Sequence, residues 1–187
     1  MVDKTQLRRN LLETRKSIPM DEWEQKNSRI CSHLLNSPQL KQAKTVLGYF
    51  SFRSEPDINP LFANTEYQWG LPRCVGKSLV WHRYQQNDTL TTGAYGILEP
   101  NSCTPVIQAE EVDLIIIPCV ACDFQGYRLG YGGGYYDRLL SSPEWVKKYT
   151  IGIVFDFAYM PELPFEPWDK PLQAVCTETG LFCEKRI

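Results

Sequence analysis

Four of the twelve glycines in this chain lie within five positions, between two arginines and beside an aspartate. The stretch runs from Arg128 to Arg138 and reads Arg-Leu-Gly-Tyr-Gly-Gly-Gly-Tyr-Tyr-Asp-Arg. Because glycine has no Cβ, consecutive glycines can turn their backbone N–H groups toward one point, where an oxyanion binds. Binding is stronger where the loop runs into a helix N-terminus, and Tyr135 to Leu140 could open such a helix. Arg128 and Asp137 have the chemistry of a phosphate partner and of a metal ligand, so the stretch predicts a phosphate-binding loop.

A run of glycines is also typical of a flexible loop, and this alternative has to be weighed. Two features favour a ligand-binding loop. The run follows an apolar segment predicted to be a buried strand, Asp113 to Val120, and it carries three tyrosines and two arginines that a solvated linker would not need. The common templates do not match: a dinucleotide fingerprint would require a glycine where Tyr135 stands, and the Gly-x-x-x-x-Gly-Lys-Ser/Thr pattern is absent. The sequence therefore predicts a phosphate loop of another kind.

Cations lie on the apolar side of the first predicted helix, which Asp3 can cap and which runs to about Ser17. At about 100° per residue, its apolar stripe consists of Leu7, Leu11, Leu12 and Ile18. Lys4, Arg8 and Arg15 project into this stripe. A cation on a core-facing stripe is unfavourable unless an anion meets it. Two explanations stay open: the side chains extend past the leucines to water or to an acidic residue, or they bind a ligand phosphate.

Hydrophobic periodicity along the chain alternates between the helical and the strand repeat. Beyond the first helix it predicts helices over Asp21 to Asn36 and Tyr135 to about Lys148, and strands over Thr45 to Phe52, Trp69 to Val75, Leu79 to Tyr84, Asp113 to Val120, Thr150 to Phe155 and Ala174 to Thr177. Gly76-Lys77 predicts a hairpin turn, and the last strand is expected to finish the sheet. This order predicts an α/β fold: a single domain over residues 1–187, with an open, mostly parallel twisted sheet flanked by helices in three α/β/α layers.

Polar residues follow the first predicted strand, in the segment Arg53-Ser-Glu-Pro-Asp57. Open α/β sheets bind ligands at the carboxyl ends of their strands. Glu55 is either a simple helix-entry acid ahead of Asn59-Pro60, or a carboxylate that hydrogen-bonds a heterocycle rich in N–H groups.

The composition is that of a soluble globular protein, with 43% hydrophobic and 22% charged residues. A formal net charge of −2 argues against a nucleic-acid-binding protein, which needs basic residues for phosphate contacts. The N-terminus has no apolar signal segment, and no apolar run approaches the roughly 20 residues that cross a bilayer. We therefore expect a cytoplasmic protein with no membrane or nucleic-acid partner.

Seven cysteines form an odd and irregular set, unlike a secreted disulfide framework. Cys119 and Cys122 form a Cys-x-x-Cys pair, but a zinc site needs four ligands, and His33 and His82 lie far off in the sequence. A redox function of this pair stays an alternative. Because both cysteines lie at the end of a predicted buried strand, we favour the interpretation that they are buried thiols packed as small apolar side chains.

Four motifs in this order resemble the 5-formyltetrahydrofolate cyclo-ligase family, whose members are also called 5,10-methenyltetrahydrofolate synthetases. They are Lys4-x-x-Leu7-Arg8, Ser54-Glu55-Pro56-Asp57, Tyr95-Gly-Ile-Leu-Glu-Pro100 and the glycine stretch from Arg128 to Arg138. The resemblance spans essentially the whole chain, and the glycine stretch is its most specific part. It implies an enzyme that uses ATP and Mg²⁺ to convert 5-formyltetrahydrofolate to 5,10-methenyltetrahydrofolate, with release of ADP and phosphate.

The resemblance also implies roles for individual residues. The catalytic residues would be Arg128 and Asp137. The ATP-binding residues would be Lys4, Thr5, Gln6, Leu7, Arg8, Arg128, Leu129, Gly130, Tyr131, Gly132, Gly133, Gly134, Tyr135 and Tyr136. The folate-binding residues would be Phe50, Glu55, Tyr131, Gly132, Gly133, Gly134 and Tyr135. Mg²⁺ would be held by Asp137 and Asp169. We expect a monomer whose partners are the small-molecule folate and ATP.

Two alternatives belong to other functional classes. One is a non-catalytic member of the same fold that binds nucleotide or folate and regulates a partner. Loss of Lys4, Glu55, Arg128 or Asp137 would favour it, and all four are present. The other is an unrelated sugar-phosphate or coenzyme A enzyme on a similar open sheet, since a fold does not fix a chemistry.

Overall fold

The computed structural model of the chain describes residues 3–183. Its helices are α1 (Lys4–Lys16), α2 (Met20–Asn36), α3 (Pro38–Gln42) and α4 (Tyr135–Ser141). Its strands are β1 (Thr45–Leu47), β2 (Gln68–Val75), β3 (Ser78–Tyr84), β4 (Leu90–Thr92), β5 (Leu98–Pro100), β6 (Leu114–Pro118), β7 (Ala121–Asp123), β8 (Arg128–Leu129), β9 (Tyr149–Ile153), β10 (Tyr159–Met160), β11 (Ala174–Thr177) and β12 (Gly180–Cys183). Single 3-10 turns lie at Asn59–Ala63, Ala94–Gly96, Ala109–Glu111 and Asp156–Ala158. Within this part of the chain, no helix has both the length and the apolar character that a membrane span requires.

The main sheet has seven strands in the order β12-β11-β9-β6-β1-β2-β3. The five inner strands are parallel, whereas β3 and β12 pair antiparallel with their neighbours at the two edges. The predicted open, mostly parallel α/β sheet flanked by helices is therefore confirmed. The expectation that Ala174 to Thr177 finishes the sheet is wrong, because the chain reverses and adds β12 as an outer strand.

Hydrophobic clusters cover both faces of this sheet, because successive side chains of a strand point to opposite sides. On one face Ile115 packs in a cluster with Leu11 of α1 and Leu139 of α4. On the other face Ile116 packs in a cluster with Leu34 of α2. Each buried side chain of this kind contributes about 1.5–3 kcal/mol, and the first cluster holds α1 and α4 together on one side of the sheet.

The start of α1 agrees with its predicted cap. The Asp3 side chain accepts a hydrogen bond from Thr5 N at 2.9 Å, and the helix ends at Lys16 ahead of Pro19. Leu11 is buried in the core, which fixes the rotation of the helix about its axis. The predicted cations of the apolar stripe therefore face the sheet and the loops at its carboxyl edge.

The strand predicted over residues 45–52 is wrong beyond Leu47, where β1 ends. Phe52 N donates to the Glu55 carboxylate at 2.8 Å, and Glu55 N donates to the Phe52 carbonyl at 3.1 Å. The N–H and the carbonyl of Phe52 thus form hydrogen bonds within a polar turn and not with a neighbouring strand. The turn brings Glu55 back toward the sheet.

The helix predicted from Tyr135 to about Lys148 is also shorter than expected, because it ends at Ser141. Ser142 is extended, with φ −80° and ψ 145°, and it precedes Pro143. A residue before proline is disfavoured in helical conformation, so the chain leaves the helix there and forms turns up to β9.

Cys119 and Cys122 are free thiols buried in the core, as the sequence predicts. A Cβ added at Gly152 of the neighbouring strand would lie 3.0 Å from Cys122 Sγ and 3.4 Å from Cys119 Sγ. Burial raises the pKa of the Cys122 thiol well above its usual value, so it stays protonated and packs as a small apolar group.

Candidate active site

The candidate site is a cavity of about 380 Å³ at the carboxyl edge of the sheet, a size typical of small-molecule sites. It lies where the strand order reverses: the crossover after β1 leads to its neighbour β2, and the crossover after β6 leads to β9 on the other side. Ligands of open α/β sheets bind in such a crevice. The loop after β1 carries Glu55, and the chain after β6 carries the glycine stretch, so topology alone brings these two segments together.

Most residues with a predicted role line this single cavity. They are Lys4, Arg8, Phe50, Glu55, Arg128, Leu129, Gly130, Tyr131, Gly132, Gly133, Gly134, Tyr135, Tyr136, Asp137 and Asp169. The three other predicted ATP-binding residues, Thr5, Gln6 and Leu7, are not among its lining residues. Thr5 lines a neighbouring groove, Gln6 is hydrogen-bonded to Asn10 on the exposed side of α1, and Leu7 packs against the core. Their contact with ATP stays a prediction.

The glycine loop has the backbone conformation that its composition predicts. Gly132 has φ 97° and Gly134 has φ 67°, in the left-handed region that favours glycine. Gly134 directly precedes α4. Arg8 of α1 holds the loop in place, because its Nε donates to the Gly130 carbonyl at 2.7 Å. The loop is thus a fixed concave segment beside a cationic helix, which suits an anionic ligand.

Arg128 lies deep beside this loop, with a side chain that is only 6% exposed. Its Nη2 donates to Asp137 Oδ1, and its guanidinium lies 5.7 Å from the centre of the Tyr136 ring. Its Nε is buried and has no hydrogen-bond partner within residues 3–183. A buried, unpaired donor of a cation is unusual. Because Arg128 also lines the cavity, its positive charge is available to an anionic ligand there.

The two predicted metal ligands, Asp137 and Asp169, line the same cavity from different segments. Asp137 pairs with Arg128 and leaves its side chain 39% exposed to the cavity. Asp169 Oδ2 accepts from Lys4 Nζ at 3.2 Å and from Glu166 N at 2.8 Å. Residues 3–183 contain no group of three or more His, Cys, Asp or Glu side chains that could hold a metal ion. Carboxylate oxygens suit Mg²⁺, so the residues fit a magnesium ion that takes its remaining ligands from nucleotide and water.

Glu55 is a buried acid of the site, with an exposed fraction of 3%. It follows Arg53 and Ser54, which adopt left-handed backbone conformations with φ 49° and 58°. Such strain in residues other than glycine is typical of functional sites. Burial raises the pKa of Glu55, while the Arg15 guanidinium and a hydrogen bond from the Tyr131 hydroxyl act in the opposite direction. The carboxylate is therefore an acceptor held away from water at one wall of the cavity.

Sequence reasoning gave no individual role to the hairpin of β4 and β5, which forms another wall. Tyr95, Ile97, Leu98 and Glu99 of this hairpin all line the cavity. The Tyr95 hydroxyl lies 3.4 Å from the Tyr135 hydroxyl of the glycine stretch. The only sequence signal was the Tyr95 to Pro100 motif, whose glycine-punctuated composition resembles any surface loop.

Comparison with known proteins agrees with this arrangement. A family model described as the 5-formyltetrahydrofolate cyclo-ligase family matches residues 1–178. A 5-formyltetrahydrofolate cyclo-ligase of Mycolicibacterium smegmatis is 32% identical over 187 residues, covering 93% of each chain. One of Escherichia coli strain K12 is 29% identical over 178 residues, covering 90% of this chain and 96% of the relative. The NMR structure of Aquifex aeolicus 5,10-methenyltetrahydrofolate synthetase superposes with a TM-score of 0.87 at 33% identity, covering 98% of this chain and 94% of that one.

Proposed function

Because the chain belongs to the 5-formyltetrahydrofolate cyclo-ligase family, we propose that it converts 5-formyltetrahydrofolate to 5,10-methenyltetrahydrofolate with ATP and Mg²⁺, releasing ADP and phosphate. The observation that carries the proposal is that Arg128, the glycine loop and the buried Glu55 line one cavity. An unrelated sugar-phosphate or coenzyme A enzyme is excluded as an alternative by this membership.

The chemistry explains why such a reaction needs ATP. A formamide oxygen is a poor leaving group, so the 10-nitrogen of the folate cannot displace it directly. Transfer of the γ-phosphoryl group from ATP to that oxygen gives an iminium phosphate and ADP. The 10-nitrogen then attacks the iminium carbon and loses its proton, and the C–O bond breaks to release phosphate as the five-membered ring closes. Such a transfer depends on positioning and charge neutralisation more than on covalent help from the protein.

Basic side chains and backbone amides supply this neutralisation on one side of the cavity. The amides of residues 130–136 bind the triphosphate together with Lys4 and Arg8 of α1, which line the same cavity, and Arg8 also donates to the Gly130 carbonyl. Arg128 lies against the transferring group, where its largely buried guanidinium stabilises the charge that develops on the phosphate oxygens. Asp137 and Asp169 hold Mg²⁺, which offsets the charge of the phosphate oxygens. Lys4 keeps the Asp169 carboxylate in place through their 3.2 Å contact.

The folate binds on the other side. Glu55 accepts hydrogen bonds from the pterin N–H groups, because its buried carboxylate lines the cavity and offers only acceptors when it is ionised. Phe50 packs edge-on against Phe62 and Tyr84, at centroid distances of 5.6 and 5.3 Å, which makes it a rigid apolar contact for the ring system. Tyr131 joins the two halves, since it belongs to the glycine loop and its hydroxyl accepts from Arg15, whose Nε donates to the Arg53 carbonyl in the turn before Glu55.

We propose further that the protein works as a monomer in the cytoplasm, with ATP and a small-molecule folate as its partners. Residues of one chain line the whole cavity, so no second copy is needed to complete it. All seven cysteines are free thiols, which suits a reducing compartment.

The direct test follows the absorbance of the methenyl product from 5-formyltetrahydrofolate with the purified chain, with and without ATP. We expect product only when both ATP and Mg²⁺ are present, with ADP formed in equal amount. Binding of folate or ATP without turnover would contradict the proposal and support a non-catalytic regulatory protein instead.

Asp137→Asn is expected to lower kcat by about 10- to 100-fold and to raise the Mg²⁺ concentration needed for half-maximal rate. The amide keeps an acceptor for Arg128, so the fold stays intact while the charge that attracts the metal is lost. Kinetics over a Mg²⁺ series checks this, with Asp88→Asn, an exposed aspartate outside the cavity, as the control. A normal rate for Asp137→Asn at saturating Mg²⁺ would remove this residue from the metal site.

A further inference from the structure

Arg15 is a buried cation that none of the roles above requires. It lies on α1 with an exposed fraction of 3%, although an arginine in a helix normally reaches water. Its Nε donates to the Arg53 carbonyl at 3.1 Å, and its Nη2 donates to the Tyr131 hydroxyl. Its guanidinium also lies 5.5 Å from the centre of the Tyr131 ring. One side chain therefore joins α1, the strained turn before Glu55 and the glycine loop.

Stability alone does not account for this residue. Arg15 Nη1 is buried and makes no hydrogen bond to any residue from 3 to 183. Burying a cation with an unsatisfied donor is unfavourable, and an apolar side chain of similar volume often stabilises such a position as well or better. A functional use of the charge is the simpler explanation.

The positive charge of Arg15 acts on Glu55, where it lowers the pKa of the carboxyl. The ionisable groups that act on this carboxylate come from every segment packed around it, and they are Arg15, Arg53, Tyr49, Tyr131 and Tyr136. The two cations among them differ in exposure, because Arg53 faces water whereas Arg15 is buried. Solvent screens an exposed charge far more than a buried one. Arg15 is thus the less screened of the two cations, and its Nη2 donates to the Tyr131 hydroxyl, which together with Arg15 lowers the pKa of Glu55.

We propose that Arg15 is a positioning residue for folate binding, which holds Tyr131 and the turn before Glu55 at the wall of the cavity and supplies a buried positive charge to that carboxylate. The inference rests on the proposed function, because it takes Glu55 as the acceptor of the pterin N–H groups. Only the ionised carboxylate accepts from both N–H groups of a pterin edge, whereas a protonated acid places a donor there. Arg15 also ties this acceptor to the helix that carries Lys4 and Arg8, so the folate and phosphate halves of the cavity share one rigid link.

The test measures the dissociation constant of 5-formyltetrahydrofolate by calorimetry, without ATP, from about pH 5 to about pH 8. Removal of Arg15 leaves burial as the dominant influence on the pKa of Glu55, so that this pKa rises further and the carboxyl protonates as the pH falls. We therefore expect Arg15→Met to bind folate much more weakly at the acidic end, with the acid-to-alkaline ratio of dissociation constants increased about tenfold over wild type. Arg15→Lys, which retains the charge, is expected to restore most of the wild-type profile.

Three controls make the outcome decisive. Arg9→Met removes an exposed cation of the same helix and should leave the profile unchanged. Arg15→Gln serves as a second neutral variant, with an amide that can still donate to Tyr131, should the methionine variant not fold. The double variant Arg15→Met/Glu55→Gln lacks the titrating group, so its affinity should not depend on pH in this range.

A uniform loss of affinity in both neutral variants, equal at all pH values, would overturn the proposal and leave Arg15 with a purely structural role. Persistence of the pH dependence in the double variant would overturn it too, because another group would then be titrating. Failure of the proposed function appears separately, as absence of methenyl formation by the wild-type chain.

Discussion

Replacing Arg128 with methionine is expected to lower kcat for methenyl formation by a factor of about 10²–10³, which corresponds to roughly 3–4 kcal/mol of transition-state stabilisation. The guanidinium lies in a nearly dry position, where a charge acts strongly on a transferring phosphoryl group. Its side chain lines the cavity beside the glycine loop, so the positive charge is in position before a phosphate arrives. The loss should therefore appear in kcat, with a smaller change in the KM for either substrate.

Arg83→Met is the matched control for this experiment. Arg83 also forms an ion pair with an acid, Glu111 at 3.1 Å, but its side chain is half exposed and lies outside the cavity. Steady-state kinetics of both variants, with thermal unfolding as a check on folding, separates a catalytic effect from loss of a charge. A folded Arg128→Met variant with a kcat within about threefold of wild type would remove Arg128 from the phosphoryl-transfer step.

Glu55→Gln is expected to lower kcat/KM for the folate by about 10²–10³-fold while leaving the KM for ATP nearly unchanged. The amide loses the negative charge and places an N–H donor against the N–H groups of the pterin. The fold should not suffer. Burial raises the pKa of Glu55 in the folded chain above its unfolded value. The protonated carboxyl therefore contributes to the free energy of unfolding, and this contribution is lost as the pH rises through the folded pKa, so that ionisation at neutral pH opposes folding. The neutral variant is therefore expected to be at least as stable as wild type at pH 7.

Glu178→Gln is a close control, because Glu178 is also a buried acid that accepts from a backbone N–H, that of Asp156 at 2.8 Å. It lies away from the cavity, next to Lys26, so its replacement should affect stability but not the KM for folate. Steady-state kinetics with folate tests the first expectation for both variants, and thermal unfolding tests the expectation on stability. An unaltered folate KM in Glu55→Gln would place the pterin elsewhere in the cavity.

The fold was predictable in its main features because two local rules carry most of the information. The apolar run of β6 alternates between two buried faces, as in Ile115 and Ile116, and such a run is typical of an inner parallel strand. The turn at Gly76-Lys77 joins β2 and β3 as expected. Element ends were less predictable, because they depend on polar partners. The Glu55 carboxylate accepts a hydrogen bond from Phe52 N and so ends the extended segment. Hydrophobic periodicity does not reveal such a contact.

The candidate site likewise has features that the sequence could predict and features that it could not. Residue types and spacing marked the glycine loop, and the structure gives Gly132 and Gly134 the left-handed conformations that only glycine adopts readily. The position of Glu55 after a strand marked it as well. The connection that Arg15 makes between the glycine loop and the turn of Glu55 was not predictable. Arg15 contacts residues that are 38 and 116 positions away in the sequence. Contacts of such long range depend on how the whole sheet and its loops pack.

Each of the three cations on the apolar stripe of α1 has a partner within the protein. Lys4 pairs with Asp169 and Arg8 binds the Gly130 carbonyl, and both line the cavity. Arg15 is buried against protein atoms. Periodicity placed all three on one side of α1 but did not separate a ligand contact from a contact within the protein, because the partner in each case comes from a distant segment.

A crystal structure of the chain with Mg²⁺ and a non-hydrolysable ATP analogue tests the central claim most directly. The terminal phosphates are expected within hydrogen-bonding distance, about 3 Å, of the amides of residues 130–136 and of Arg128, with the metal ion against Asp137. Phosphates found instead in the neighbouring basic groove along Arg9 and Lys16, with the glycine loop free of nucleotide, would contradict the account.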